Sequence, residues 1–382
     1  MPLPSAVEAK IVLKHSLPLH PISPSYRSIL LLPPGSERGP IPLLSTSAPI
    51  SISRSSVRHS RWRWIPFATC EDFFKVGKCE AEKLVHGETM PLVLQPQEEA
   101  YNNGDNDMKS LFVALEKNSD WFKQMIVKHG AVLLRGFDVS NAEDFNGVVE
   151  TLGWDHVPYV GPAPRTHVCK RIWTANEGPL SEPIDFHHEM AIVPPLEGGE
   201  TPIVPSCRVA ERMMEEFPEA VKEMEEKGLK YSFRAPLQAT ASYMGKGWSE
   251  GLGSSDPAEA VKWSKAKADM DVQWLPDGSA NVTMSPRPLT MAFNGRKGRK
   301  VWFNIINIMH KKEITSVLMM DGTEIPENVV KRMREIIEEE SIQFRWEKGD
   351  ILFLDNLAVC HGRRASSPPR KVLIATCKVA SV

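Results

Sequence analysis

The chain has 382 residues, of which 42% are hydrophobic and 25% charged, and a formal net charge of −2. No apolar run reaches the ~18 residues of a bilayer span, and the near-neutral charge offers no basic stripe for nucleic acid. Six cysteines without a Cys-x-x-Cys pair read as reduced thiols of an intracellular protein, not as a disulfide framework or zinc site. The average hides an asymmetry. Residues 1–70 hold eight Lys and Arg against two acids, with thirteen Ser and eleven Pro. The rest carries 38 Lys and Arg against 46 Asp and Glu. So much proline interrupts helix and central strand alike, and residues 1–70 are expected to be a disordered N-terminal extension. Basic, Ser-rich, acid-poor composition fits an organelle transit peptide; a plain disordered tail or a mis-joined segment fits the prolines. The location expected is intracellular, cytoplasmic or, with a transit peptide, plastid.

From Lys75 the chain reads as folded. Leu111, Leu115, Phe122 and Ile126 have helical spacing, which predicts a helix over 111–129 closed by Gly130. Residues 131–134 are a short apolar run and read as a buried strand. A helix is expected over 141–152 with Ser140 or Asn141 as N-cap. Amphipathic helices are expected over 208–227, stopped by Gly228, and over 256–268 and 327–339. Strands are expected at 301–306, 342–346, 350–354 and 371–377. Periodicity alone thus gives a mixed α and β fold.

The chemistry centres on Phe186-His187-His188-Glu189-Met190. Residues two apart on a strand share a face, so His187 and Glu189 project an imidazole and a carboxylate side by side. His188 faces the other way and is a poorer ligand, better suited to support. One distant histidine, His361, would complete two His and one carboxylate, the set that holds non-haem Fe(II) with three open positions. A lone His-x-Glu is common by chance, and His361 beside Arg363 and Arg364 reads equally as a surface residue. The company decides. Upstream lies His129-Gly130-Ala131-Val132-Leu133-Leu134-Arg135-Gly136-Phe137. Downstream come Gly198-Gly199-Glu200-Thr201, then Gly349-Asp350-Ile351-Leu352-Phe353-Leu354-Asp355-Asn356, Cys360-His361-Gly362-Arg363 and Pro369-Arg370-Lys371-Val372-Leu373.

The order and spacing of these blocks, from about Phe73 to Lys378, resemble the taurine dioxygenase family, and within it the plant clavaminate synthase-like group. The resemblance implies one catalytic domain over 71–382. Its fold would be α+β, a double-stranded β-helix (jelly roll) core braced by helices. It also implies an Fe(II)- and 2-oxoglutarate-dependent dioxygenase with His187, Glu189 and His361 as metal ligands. Such an enzyme hydroxylates or oxidises a small molecule with O2 and releases succinate and CO2. The distal carboxylate of 2-oxoglutarate needs a fixed cation. Arg370 and Lys371 face opposite ways on the last strand, and either can serve; Thr201 resembles the hydroxyl that assists. Arg165, Asn176, Glu177, Trp302 and Asn304 are candidates for lining a substrate pocket, or ordinary strand and loop residues.

Two features depart from the family pattern. Only eight residues, 190–197, separate Glu189 from Gly198, where relatives have a longer interval containing an apolar core strand. Residues 305–315 also look foreshortened. A lost strand beside a ligand favours a rival reading, a non-catalytic or degenerate jelly roll that has lost turnover. A cupin-like metal isomerase or hydrolase is a further rival, one needing neither Thr201 nor the C-terminal cation. No membrane or nucleic-acid partner is expected, and the sequence leaves the oligomeric state open.

Overall fold

A computed structural model describes residues 7–15, 73–97, 108–157, 163–188, 201–241, 245–284, 286–293, 297–310, 312, 314–366 and 371–379; for 7–15, 267, 268, 371 and 379 the description covers the backbone only. The chain divides into two units, Met1–Ser16 with Cys70–Val382, and Leu17–Thr69. The second lies outside the described residues.

The strand Ala131–Leu134 shows how the fold is organised. All four residues are buried, and they alternate between two cores: Ala131 and Leu133 in one, Val132 and Leu134 in the other. A strand covered on both faces needs a continuous apolar run rather than alternation. Its neighbour Ile351–Asp355 behaves likewise, with Ile351 and Phe353 on one side and Leu352 and Leu354 on the other. These strands lie in a nine-stranded sheet. Its order is Phe74–Val76, Leu92–Pro96, Ala131–Leu134, Ile351–Asp355, Val7–His15, Lys371–Val379, Ile172–Thr174, His167–Cys169, with Asp155–His156 also pairing with Lys371–Val379.

One core lies between this sheet and the helices Met108–Lys117, Ser119–His129 and Ala142–Thr151. The other lies on the opposite face. There Ile184, Phe186, Ile203, Val204, Val359 and Cys360, from a three-stranded sheet, join Leu352, Leu354, Val372 and Ile374. The helices Ser206–Glu216, Pro218–Lys227 and Glu327–Glu340 close that core. A four-stranded sheet, Met270–Trp274, Ala280–Met284, Leu229–Ala235 and Thr315–Met319, carries a small third cluster around Trp248.

Several expected elements hold. Gly130 caps the helix before it at φ 73°, and Asn141 accepts a hydrogen bond from the Asp144 N–H at the start of Ala142–Thr151. Others divide or change. The helix expected over 111–129 is broken at Asn118, whose buried side-chain amide donates to the Ala114 carbonyl. That expected over 208–227 is broken at Phe217, because Pro218 starts a new helix and disfavours helical geometry in the residue before it. The strand expected over 301–306 shrinks to Lys300–Val301, and Ile306–Met309 is helical despite its β-branched residues. There the Asn304 side chain accepts from the Ile306 N–H, and the Thr315 hydroxyl donates to the Met309 carbonyl. At 342–346 the alternation is real, with Ile342, Phe344 and Trp346 buried and Gln343 and Arg345 exposed. Only Ile342 meets a partner, Ile203, so no ladder forms.

The expectation of an unstructured 1–70 needs correction at its start. Val7–His15 is a strand inside the nine-stranded sheet, where Val7, Ala9, Ile11 and Leu13 supply the alternation that the proline count obscured. The remainder, 16–70, lies outside the described residues.

Gly349 closes the turn before Ile351–Asp355 at φ 85°, and a Cβ there would collide with the Phe137 carbonyl oxygen. A positive φ disfavours any L side chain, and the obstacle is backbone that cannot step aside. Gly349→Ala is expected to cost at least about 2 kcal/mol in denaturant unfolding. An unchanged midpoint would show that the turn relaxes.

Candidate metal centre

His187 ends the strand Ile184–His187, and His361 sits at the middle of Val359–Arg363. The two strands are antiparallel, and the histidines are direct register partners. Their ring centroids are 4.5 Å apart, and both residues are essentially fully buried. Ile203–Pro205 pairs with the other edge of Val359–Arg363, with Ile203 opposite His361.

A bulge produces this alignment. Ile184 pairs with Arg363, yet His187 pairs with His361. Three steps on one strand match two on the other, so an extra residue is accommodated. In a regular ladder Phe186 would stand opposite His361. The irregularity advances the strand by one position and delivers an imidazole there instead. Nδ1 of His187 donates to the Asp185 carbonyl at 2.6 Å. That bond fixes the tautomer and leaves the Nε2 lone pair as the donor to a metal.

The surroundings hold both strands in place. The Asn307 amide donates to the Phe186 carbonyl at 3.3 Å. Arg363 is buried at 1% exposure and donates to the carbonyls of Gly178, Pro179 and Glu182, in the loop leading to Ile184–His187. Burial lowers its pKa to about 10, which still leaves it a cation at neutral pH. Arg364 pairs with Glu338 and lies 5.4 Å over the Phe186 ring.

His188 points away from the pair, as alternation predicts. Nδ1 donates to the Asn356 carbonyl at 2.6 Å, and Nε2 accepts from the Ser206 hydroxyl at 2.8 Å. Burial pushes its pKa down to about 4, so it is neutral under ordinary conditions. It therefore ties the end of Ile184–His187 to the Asp355–Ala358 turn that precedes Val359–Arg363. Supports of this kind are worth about 10–100-fold in metal affinity. His188→Phe is accordingly expected to weaken Fe(II) binding by about that factor in an anaerobic titration, with both ligand histidines intact. Unchanged affinity would make His188 a packing residue only.

The structure thus brings His187 and His361 together and buries Thr201 at 3% exposure, two residues before Ile203–Pro205. Glu189, the link 190–197, Gly198, Gly199 and Arg370 lie outside the described residues, as does the side chain of Lys371, whose backbone opens Lys371–Val379. Three pocket candidates have structural partners. The Asn176 side-chain Oδ1 accepts from the Gly178 N–H, Glu177 accepts from the Thr166 hydroxyl, and the Asn304 side-chain amide donates to the Leu289 carbonyl. Trp302 is buried in the core with its backbone N–H on the Ser206 carbonyl, and Arg165 is partly buried. Sequence reasoning missed Asn307, Ser206 and the inward Arg363. Only the even spacing of His361 and Arg363 on one strand hinted at the last.

Among the described residues, one other group brings potential ligand atoms within 4.8 Å: His86, Cys207 and Glu211. His86 Nε2 lies in hydrogen-bond contact with Glu211 Oε1 at 2.7 Å, and burial pushes the Cys207 thiol up to about 11, away from the thiolate a metal needs. The five described cysteines are all free thiols. Among the described residues, no helix is long and apolar enough to cross a membrane.

Comparison with known proteins identifies the family. A clavaminate synthase-like protein of Arabidopsis thaliana is 38% identical over 286 residues, spanning 69% of this chain and 86% of the relative. The dapdiamide synthesis protein DdaC of Enterobacter agglomerans is 26% identical over 284 residues, 66% of this chain and 83% of that one. Among solved structures, PvcB of Pseudomonas aeruginosa superposes with a TM-score of 0.45 at 13% identity, covering 85% of this chain and 95% of that one. The family model described as taurine catabolism dioxygenase TauD, TfdA family matches residues 96–377, and the chain belongs to that family.

Proposed function

We propose that this chain is an Fe(II)- and 2-oxoglutarate-dependent dioxygenase that hydroxylates or oxidises a small molecule, with succinate and CO2 as co-products. The observation that carries it is the buried register pairing of His187 with His361 in a chain of this family. The two facing sheets are then the walls of a jelly roll.

In this reading His187 and His361 hold the iron through imidazole nitrogens, with Glu189 as the carboxylate. Bound there, the iron supplies oxygen activation coupled to decarboxylation of 2-oxoglutarate. The chain's own residues set the conditions. The Asp185 carbonyl keeps the His187 proton on Nδ1. The apolar walls from Phe186, Ile203, Leu352 and Leu354 keep water from the histidine pair. Thr201 donates its hydroxyl to the distal carboxylate of 2-oxoglutarate. Arg370, as a planar cation, or Lys371, as a point charge, would hold that carboxylate. A cleaved transit peptide would carry away everything N-terminal to its cleavage site, so a sheet that keeps Val7–His15 disfavours that role for residues 1–70.

Succinate release from 2-oxoglutarate, measured with and without Fe(II) and candidate small polar acids, tests the reading. Iron-dependent succinate, raised by a true substrate, is the expected result. A chain that binds Fe(II) and 2-oxoglutarate yet forms no succinate with any substrate is the degenerate jelly roll. A chain that binds neither overturns the assignment.

A further inference from the structure

The nine-stranded sheet holds together through a strand from the far end of the sequence. Ile351–Asp355 and Lys371–Val379 do not pair with each other. Each pairs instead with one edge of Val7–His15, antiparallel on both sides. The ladder with Lys371–Val379 runs from Val7 opposite Val379 to His15 opposite Lys371. That with Ile351–Asp355 runs from Ala9 opposite Asp355 to Leu13 opposite Ile351. Without Val7–His15 the sheet separates into two halves, each with a bare edge in the middle of the molecule. With Val7–His15 in place, Ile351, Leu352, Phe353, Leu373, Ile374, Ala375 and Cys377 are at most 2% exposed. Taking the strand out would uncover these apolar side chains and leave the facing backbone donors and acceptors without their ladder partners.

The sequence accounts for the slot. The link leaving the His187 strand, 190–197, has eight residues with two consecutive prolines, Pro194 and Pro195, a sequence poorly suited to a central sheet strand. The N-terminal segment has the right pattern to replace it. Ala9, Ile11 and Leu13 stand in register with Cys377, Phe353, Ala375, Ile351 and Leu373, all on the helix-covered side. Val12 stands in register with Leu352 and Ile374, on the other side. Glu8 is the register partner of Lys378, an opposite-charge pair across strands. The intervening Leu17–Thr69 is long, but the cost of closing a loop grows only logarithmically with its length.

We propose that Val7–His15 is a donor strand: the chain's own N-terminus fills the slot between Ile351–Asp355 and Lys371–Val379, doing the work of the strand that is missing after Glu189. The inserted strand holds the two elements that flank the histidine site. Ile351–Asp355 leads through its turn to His361, and Lys371–Val379 begins at Lys371.

The register supplies a test on the full-length chain with no need for iron or turnover, so it stands apart from the assignment of activity. Ala9 lies opposite the native Cys377. Ala9→Cys, oxidised with copper-phenanthroline, is expected to form a disulfide with Cys377, found by mass spectrometry as tryptic segment 1–10 joined to 372–378. Lys10→Cys, one position out of phase, is expected not to form it. In the unsubstituted chain, amides of residues 8–14 should exchange at least about a hundredfold more slowly than in a free peptide. A disulfide within one chain together with slow exchange supports the donor strand. A disulfide between two chains assigns the strand to a second copy and overturns the own-chain assignment. Equal cross-linking from both positions, or free-peptide exchange over 8–14, overturns the donor strand altogether.

Discussion

His361→Ala is expected to weaken Fe(II) binding at least about a hundredfold, and His187→Ala to do the same. Loss of a supporting hydrogen bond around a metal ligand already costs about 10–100-fold, and under the proposed assignment each of these substitutions removes a ligating nitrogen outright. The two rings face each other across one antiparallel pair, so neither strand offers a nearby substitute. Cys360 precedes His361, but burial pushes its thiol up to about 12 and it hydrogen-bonds to Ser206. Anaerobic titration with Fe(II) in the presence of 2-oxoglutarate, followed by the visible charge-transfer absorption, gives the readout. Circular dichroism on the same samples separates lost binding from lost fold. A wild-type band in either variant removes that residue from the centre.

Arg135→Met is expected to be the most damaging substitution to the scaffold, at about 3–5 kcal/mol and a fall in Tm of roughly 10 °C. Arg135 gives Asp350 two parallel hydrogen bonds, 3.0 Å from Nε and 2.7 Å from Nη2, and reaches the Arg345 carbonyl and Glu347 as well. The Asp350 side chain has no exposed surface. Removing the guanidinium leaves a carboxylate in the core without its cation, a much larger cost than the net worth of the pair. The deficit has a predictable pH dependence. Burial already raises the Asp350 pKa, and loss of Arg135 raises it further. A carboxyl whose folded pKa lies above its unfolded value binds more protons when folded, so its stability is lost as pH rises through the folded pKa. The variant should therefore fall further behind wild type at pH 8 than at pH 5. Adding Asp350→Leu to Arg135→Met should recover much of the loss, since an apolar pair needs no compensation. Equal deficits at both pH values would mean that water reaches Asp350.

The sequence exposed residue types well and geometry poorly. His187 and His361 were legible because few roles suit buried histidines set among those blocks. That they would be register partners was not, because a bulge leaves no mark on alternation. The paired helices around Asn118 and Phe217 were half legible. Pro218 stands in the sequence as a helix breaker, but the amphipathic spacing on either side of it read as one helix, and the amide of Asn118 bonding back to Ala114 is a choice the surrounding core makes. Ile306–Met309 reads as strand by propensity and forms a helix because Asn304 and Thr315 satisfy its ends. Arg363 reads as surface by composition. Its burial depends on three carbonyls of a loop nearly two hundred residues earlier. The N-terminal strand was hidden by its own neighbours, since thirteen serines and eleven prolines over 1–70 outweigh nine residues of alternation.

The bulge before His187 also limits how this protein can change over time. Loops elsewhere on the surface absorb insertions and deletions at little cost. Between Ile184 and His187 the count of residues is itself the specification, because one extra position decides whether a phenyl ring or an imidazole meets His361. A single in-frame codon lost there would keep the apolar content, the strand propensity and most of the packing, and still put the wrong side chain opposite His361. A lineage that drifted in this way would remain folded and fall silent as a catalyst. Descendants of this chain can therefore be sorted by length across four residues before any side chain is compared.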